Sequence, residues 1–301
     1  MAITEFVLKN FWKVIQKKDA ARMAKQSLSE GVSTVCDIPY SDDGDKMHLL
    51  DVYSPSVSDA PLPVILEIHG GGWTYGDKDL NKIYATFLAS RGFSVVNISY
   101  RLLAKGVGLK EELQDVFAAC NWLYKNGAEY NFDLNNIFVN GDSAGGHLAA
   151  VTAAVALNPN YQKLLGVSAP FSFRAVGCSS GAIALEKYDN VMLLSGLRRM
   201  FFGKKPKQSA LFVFNSPSLL IDKNTYPPIY LVSSDKDFIK SHSFAFEQFC
   251  IKNDLVYEFS FTKQADTTNK LEHVYDVLYP TWDESKKAID GLCAFFKRFI
   301  S

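Results

Sequence analysis

The chain has 301 residues, 48% of them hydrophobic and 21% charged, proportions that fit a folded globular protein and argue against disorder. Its 32 Lys and Arg balance 32 Asp and Glu, so no basic excess points to nucleic acid or to a polybasic membrane anchor. A chain of this length buries roughly three quarters of its unfolded surface and needs no disulfide or metal staple. Its five cysteines, Cys36, Cys120, Cys178, Cys250 and Cys293, form no Cys-x-x-Cys pair and read as buried thiols in a reducing compartment, with no metal site.

Near the N-terminus Phe6-Val7-Leu8 is followed at once by Lys9 and Asn10, too short an apolar run for a signal peptide. Nowhere do about 18 apolar residues run together, as a spanning helix requires. The expectation is a cytoplasmic protein with no membrane association. Residues 3–28 are helical in pattern, with Phe6, Ile15, Ala21 and Met23 set among Lys and Gln and no Gly or Pro. Two alternating runs follow, about 32–40 and 46–54, around Ser41-Asp42-Asp43-Gly44-Asp45, which is a hairpin pattern. Short apolar runs then alternate with helical stretches: Val64–Ile68, Phe93–Ile98, Ile137–Val139, Leu164–Ala169, Ile229–Val232 and Val256–Phe261. The helix over 110–126 is the clearest, with Leu113, Val116, Phe117, Cys120 and Leu123 on one face. This alternation predicts an α/β fold: a mostly parallel sheet of eight strands, antiparallel only at its start, covered by helices on both faces. The interval from Ala169 to Ile229 is too long for one crossover. It carries Phe171, Phe173, Phe201, Phe202, Phe212 and Phe214 and the basic run Lys204-Lys205-Pro206-Lys207, and it is expected to form a lid at the carboxyl end of the sheet.

Gly141-Asp142-Ser143-Ala144-Gly145 matches G-x-S-x-G, and its context suits a nucleophile on a strand–turn–helix. Strand-like Ile137-Phe138-Val139 precedes it and helix-forming His147-Leu148-Ala149-Ala150 follows. Small neighbours are needed there because the backbone is strained and closely approached. A serine at a helix N-terminus also sits where N–H groups favour developing negative charge. Upstream, His69-Gly70-Gly71-Gly72-Trp73 follows the strand Val64–Ile68. Consecutive glycines let backbone N–H groups face a cleft without side chains in the way, as an oxyanion requires.

With these two motifs in order, the chain resembles the α/β-hydrolases and, within them, the hormone-sensitive-lipase-like carboxylesterases. The resemblance runs from about Val32 to the end. Besides 69–73 and 141–146, it rests on Ser99-Tyr100-Arg101-Leu102, on Asp115, and on Ser216-Pro217 before Tyr226-Pro227-Pro228. The chain departs from the family at Leu103-Ala104-Lys105-Gly106-Val107-Gly108, where a proline-rich segment is usual. The resemblance implies one hydrolase domain over 1–301, with a helical cap from about 1–30 and about 172–225. It implies an esterase with no cofactor and no metal.

Five histidines are candidates for the general base. His48 is placed in the hairpin, His69 in the glycine loop, His147 in the helix behind the serine and His242 at the start of a helix after the seventh strand. Chain order in this fold is nucleophile, acid, then histidine, which selects His273 in the loop before the last helix. Ser233-Ser234-Asp235-Lys236-Asp237-Phe238-Ile239 closes the seventh strand and offers two acids. The family pattern of Asp, one variable residue, then an apolar residue fits Asp237 rather than Asp235. The expected catalytic set is therefore Ser143, Asp237 and His273, with an oxyanion hole from the N–H groups of Gly71, Gly72 and Ala144. The expected function is a serine carboxylesterase for short-to-medium acyl or aromatic esters, its partner a small-molecule ester. Plant aromatic (feruloyl-type) esters, acetylated sugars and, in a different class, a non-catalytic small-ligand receptor are the alternatives, and a homo-oligomer is left open.

Overall fold

The computed structural model describes residues 2–188 and 192–301, with side chains over 11–187 and 194–301. In chain order the elements are α1 (Ala2–Met23), β1 (Val32–Pro39), β2 (Leu49–Pro55), β3 (Leu62–Ile68), α2 (Lys82–Ala89), β4 (Ser94–Ile98), α3 (Leu109–Asn126), β5 (Phe132–Asp142), α4 (Ala144–Ala156), α5 (Pro159–Leu165), β6 (Val176–Ser179), α6 (Met192–Phe202), β7 (Ile229–Ser234), α7 (Lys240–Lys252), β8 (Tyr257–Thr262), α8 (Tyr275–Leu278) and α9 (Asp283–Lys297). The strands form one eight-stranded sheet in the order β1-β2-β4-β3-β5-β6-β7-β8. β2 runs antiparallel to both β1 and β4, and the remaining pairs are parallel. The α/β architecture expected from the alternating runs is therefore present.

The central strands read as continuous apolar runs because both faces are covered, and side-chain alternation divides them between two cores. Val64, Leu66, Ile68, Val96, Ile98, Ile137 and Val139 pack on the face of α3 and α4. Ile65, Val95 and Phe138 pack on the opposite face, with Tyr84 of α2 and Ile289, Leu292 and Phe296 of α9. No helix among the described residues is long and apolar enough to cross a membrane.

Several expectations need correction. The apolar run Leu164–Ala169 is not a strand: Leu164 and Leu165 finish α5. That helix has strong local signals, Asn158 capping the Asn160 N–H at 2.9 Å, Pro159 in the first turn, and Gly166 left-handed at its end (φ 73°). The true strand is β6, whose four residues are too few to show a period. It needs Gly177, since a Cβ there would lie 2.1 Å from Asn140 Oδ1. The long insertion consequently begins after Ser179 and fills 180–228, not 172–225, so Phe171 and Phe173 precede it. Of its residues, 189–191 lie outside those described, and the Phe6 side chain of the expected N-terminal face lies outside the described side chains. His48 closes a 3-10 turn before β2 rather than sitting within a strand. Cys36 is exposed, unlike the four other cysteines, because β1 is an edge strand whose residues mostly face solvent.

Candidate active site

Sheet register brings the two glycine motifs together. Ile68 at the end of β3 pairs with Gly141 near the end of β5, so the loops leaving both strands emerge side by side. Glycine is required where they cross. A Cβ on Gly145 would lie 2.0 Å from the Ile68 carbonyl oxygen, and one on Gly141 would lie 2.5 Å from the Gly145 backbone. Ser143 sits between them at φ 51°, ψ −113°, a conformation that non-glycine residues rarely adopt. It is held there by its N–H donating to Ser179 O (2.9 Å), while its carbonyl accepts from the N–H groups of Ala182 (2.9 Å) and His147 (3.2 Å).

The three residues expected to act together meet. His273 Nε2 lies 2.9 Å from Ser143 Oγ, and His273 Nδ1 lies 2.8 Å from Asp237 Oδ1. Asp237 is buried. Its Oδ2 accepts from Ser233 Oγ at 2.9 Å and its Oδ1 from the Ile239 N–H at 3.0 Å. Burial pushes this carboxyl up, but the hydrogen bond and charge of His273 outweigh it and hold the group below the usual carboxylate range. Asp235 faces elsewhere: its Oδ1 accepts from the Gln264 N–H at 2.8 Å and ties down the segment after β8. His273 is itself presented by a short turn in which Val274 is left-handed (φ 53°) and its N–H donates to Ser180 Oγ at 3.2 Å.

The glycine loop adopts a backbone path that favours glycine. Gly71 has φ 111° and a Cβ there would lie 1.9 Å from the Tyr75 carbonyl oxygen; Gly72 has φ 58°. Among the described residues, the N–H groups of Gly71, Gly72 and Ala144 donate to no backbone or side-chain acceptor. Asp142, the variable residue of G-x-S, anchors the same loop, accepting from the Gly70 N–H at 2.8 Å and from Asn81 Nδ2 at 2.9 Å.

The other histidines make their contacts elsewhere in the fold. Burial lowers His69 and His147 to about 4, so both stay neutral at ordinary pH. His69 stacks on Tyr100 and donates to Gly70 O at 2.6 Å, whereas His147 Nε2 meets Phe214 O at 3.1 Å. His48 Nε2 is 3.2 Å from Asp115, which also grips Arg101 at 2.6 Å. His242 Nδ1 accepts from the Ala184 N–H at 3.2 Å. No cluster of metal-binding side chains occurs among the described residues.

Sequence reasoning did not find the support that α1 gives. Trp12 stacks on Tyr75 (4.8 Å, 8° between planes) and donates from Nε1 to Thr74 Oγ1 at 2.7 Å. The Tyr75 hydroxyl in turn donates to Asp19 at 2.9 Å. These residues lie 56 and 62 positions apart, and no local pattern announces the contact. The departing segment Leu103–Lys105 borders the same region, walling a cavity of about 770 Å³ with Trp12, Tyr75 and Met200.

This elbow, glycine loop and serine–histidine–aspartate line on an eight-stranded sheet define an α/β-hydrolase. Residues 50–245 match the BD-FAE family model, and the chain belongs to that family. Among solved structures it resembles esterase B of Lactobacillus rhamnosis, with a TM-score of 0.92 and 28% identity over 99% of this chain and 96% of that one. Carboxylesterase NlhH of Mycobacterium tuberculosis is 40% identical over 106 residues, 35% of this chain and 33% of that protein. Versiconal hemiacetal acetate esterase of Dothistroma septosporum is 26% identical over 263 residues, 80% of this chain and 74% of that protein. The chain spans only a third to about half the length of several curated relatives that it matches. The expected resemblance to α/β-hydrolase carboxylesterases is thus borne out.

Proposed function

We propose that the protein is a serine carboxylesterase working through an acyl-enzyme. The observation that carries this reading is the continuous line Asp237 Oδ1, His273, Ser143 Oγ, with contacts of 2.8 and 2.9 Å. As Ser143 Oγ attacks the ester carbonyl, its proton passes to His273 Nε2, and Asp237 holds the imidazole tautomer and stabilises the imidazolium. The carbonyl oxygen becomes an oxyanion facing the N–H groups of Gly71, Gly72 and Ala144, each such donor being worth about 3 kcal/mol. When the tetrahedral adduct collapses, the bond to the leaving oxygen breaks and Nε2 returns the proton to it. Water repeats the sequence on the acyl-serine. A non-catalytic receptor has no need of a serine held at φ 51° on a histidine.

The chain reads as one hydrolase domain, with α1 and residues 180–228 forming the cap. Phe201, Phe202 and Phe214 of that insertion are buried, and Phe201 meets Trp73 edge-on at 5.2 Å, so the cap rests on the loop that would hold the oxyanion. Esterase B has been solved inhibited by a C4-C4 tributyrin phosphonate and in a C6-C4 inhibited form, which supports short acyl groups as substrates here. Five free cysteines support a reducing, cytoplasmic setting.

The test is hydrolysis of p-nitrophenyl esters from C2 to C16 by the wild type and by Ser143→Ala. The expected result is activity concentrated at C2 to C6 and abolished in the variant, with an unchanged melting temperature. Substantial turnover by Ser143→Ala would refute the nucleophile, and rates rising toward C16 would refute the short-acyl preference.

A further inference from the structure

Phe238 is 79% exposed, the most exposed of the aromatic side chains that face solvent among the described residues. It follows Asp237 directly, and its ring lies 4.5 Å from the His273 ring, tilted by 53°. Its position is fixed by the backbone around it. Asp237 Oδ1 accepts the Ile239 N–H at 3.0 Å, the Asp237 N–H donates to Ser234 O at 3.3 Å, and the Lys240 N–H donates to Asp237 O at 3.2 Å. Lys240 Nζ also donates to Asp235 O. A large apolar ring is therefore held in water by a loop that is tightly bonded on both sides. An exposed phenylalanine alone needs no explanation. This one is placed against the general base of the proposed reaction.

The chemistry says what would cover it. In the acylation step His273 Nε2 must deliver its proton to the leaving oxygen, so that oxygen lies within hydrogen-bond reach of Nε2. The carbon substituents on that oxygen then extend alongside the imidazole, while the carbonyl oxygen is turned away toward Gly71, Gly72 and Ala144. The side of the substrate that reaches the imidazole's neighbours is the alcohol, not the acyl chain. We propose that Phe238 is a specificity-determining residue that forms an apolar wall for the alcohol part of the ester, favouring aromatic or bulky apolar alcohols over methanol. Aromatic rings meet in offset or edge-on contact at 4.5–7 Å between centroids, a distance that a benzyl group on the leaving oxygen can reach from this position.

The inference rests on the serine-esterase reading, and its test separates the two. The ratio of kcat/KM for benzyl butyrate to that for methyl butyrate is measured in the wild type, Phe238→Ala and Phe238→Leu, with Ser143→Ala as control. The expected result is a wild-type ratio well above one that falls about tenfold in Phe238→Ala, with Phe238→Leu between them. Because the ring is exposed, the melting temperatures should agree closely. If Phe238 only braced or shielded the imidazole, both esters would slow by one common factor and the ratio would not move, which would overturn the proposal. A change in the ratio of methyl hexanoate to methyl acetate, with the alcohol ratio intact, would put the ring on the acyl side and overturn it equally. Turnover by Ser143→Ala would remove the esterase reading itself, and the alcohol site with it.

Discussion

Asp235 and Asp237 are two residues apart at the end of β7, yet their surroundings assign them different work. Asp237 is buried, receives Ser233 Oγ and the Ile239 N–H, and touches His273 Nδ1 at 2.8 Å. Asp235 is half-buried and spends Oδ1 on a backbone N–H of the next segment. Asp237→Asn should keep its shape but remove the charge that opposes the imidazolium and selects its tautomer. By analogy with serine proteases it should cost about 10⁴ in kcat. Asp235→Asn keeps an oxygen for Gln264 and should cost less than about tenfold by the same comparison. Steady-state kinetics of both variants at one pH check the assignment, and the reverse order of losses would overturn it. At this scale the sequence is legible because the chemistry constrains neighbours as well as actors. Gly141 and Gly145 are visible in a string of letters since any Cβ there strikes backbone. Asp142, in contrast, reads as a free variable within G-x-S, and only the fold shows it holding the Gly70 N–H.

The link between α1 and the glycine loop belongs to the scale of elements. Gly71 and Gly72 are conformationally permissive, so something outside the loop must hold their N–H groups in place. Trp12 does so from above, stacked on Tyr75 and bonded to Thr74, with its ring 3.0 Å from where a Gly72 Cβ would stand. Farther along the same helix, Arg22 donates to Leu278 O at 3.0 Å and fastens α1 to α8. Trp12→Ala should lower kcat by roughly tenfold, about the effect of misplacing one oxyanion donor in part, while Trp12→Phe, which keeps the stack, should lose less. Stopped-flow acylation rates for both variants test this. An unaltered rate in Trp12→Ala would mean that the loop holds its shape without the helix. Elements were harder to read than motifs. β6 is invisible to a pattern search because its four residues, Val-Gly-Cys-Ser, lack a period and are strand only through β5 and β7 on either side. The apolar run nearby belongs to α5, whose Asn-Pro start and glycine stop were the better guide. The helix α1 was legible as a helix, but nothing in its own residues points to a loop so far along the chain.

Across the whole molecule, the floor of the site is built from buried acids, and this sets how stability should vary with pH. Glu67 is fully buried near the end of β3, and burial raises it to about 8 despite hydrogen bonds from Asn140 and Asn81 at 2.7 and 2.9 Å. Asp276, bonded to Ser179 beneath the elbow, is raised by burial to about 6, and burial also raises Asp142. In each case the folded chain holds its proton at a pH where the unfolded chain, with carboxyls near 4, has released it. The native state then binds more protons than the unfolded one, so the stability these groups contribute is complete below about pH 4 and is lost as pH rises through 6 and 8. Asp237 works in the opposite sense, since its lowered carboxyl favours the fold above about pH 4 and is lost only in acid. Buried His69, His147 and His242, each lowered to about 4, likewise favour the fold as pH rises, up to the unfolded histidine value near 6.5. Above it the unfolded histidines have lost their protons, so between about pH 7 and 8 the raised Glu67 prevails. Unfolding free energy from urea titration should therefore decline over that interval, with Glu67 contributing a slope of up to about 1.4 kcal/mol per pH unit. Glu67→Gln removes that proton from the balance, so its stability should vary less with pH, whatever its absolute value. Equal slopes in the variant and the wild type would show instead that the amides of Asn81 and Asn140 keep Glu67 ionised. Two amides would then outweigh complete burial, and the acid would be part of a charged scaffold under the Gly70 loop rather than a neutral one.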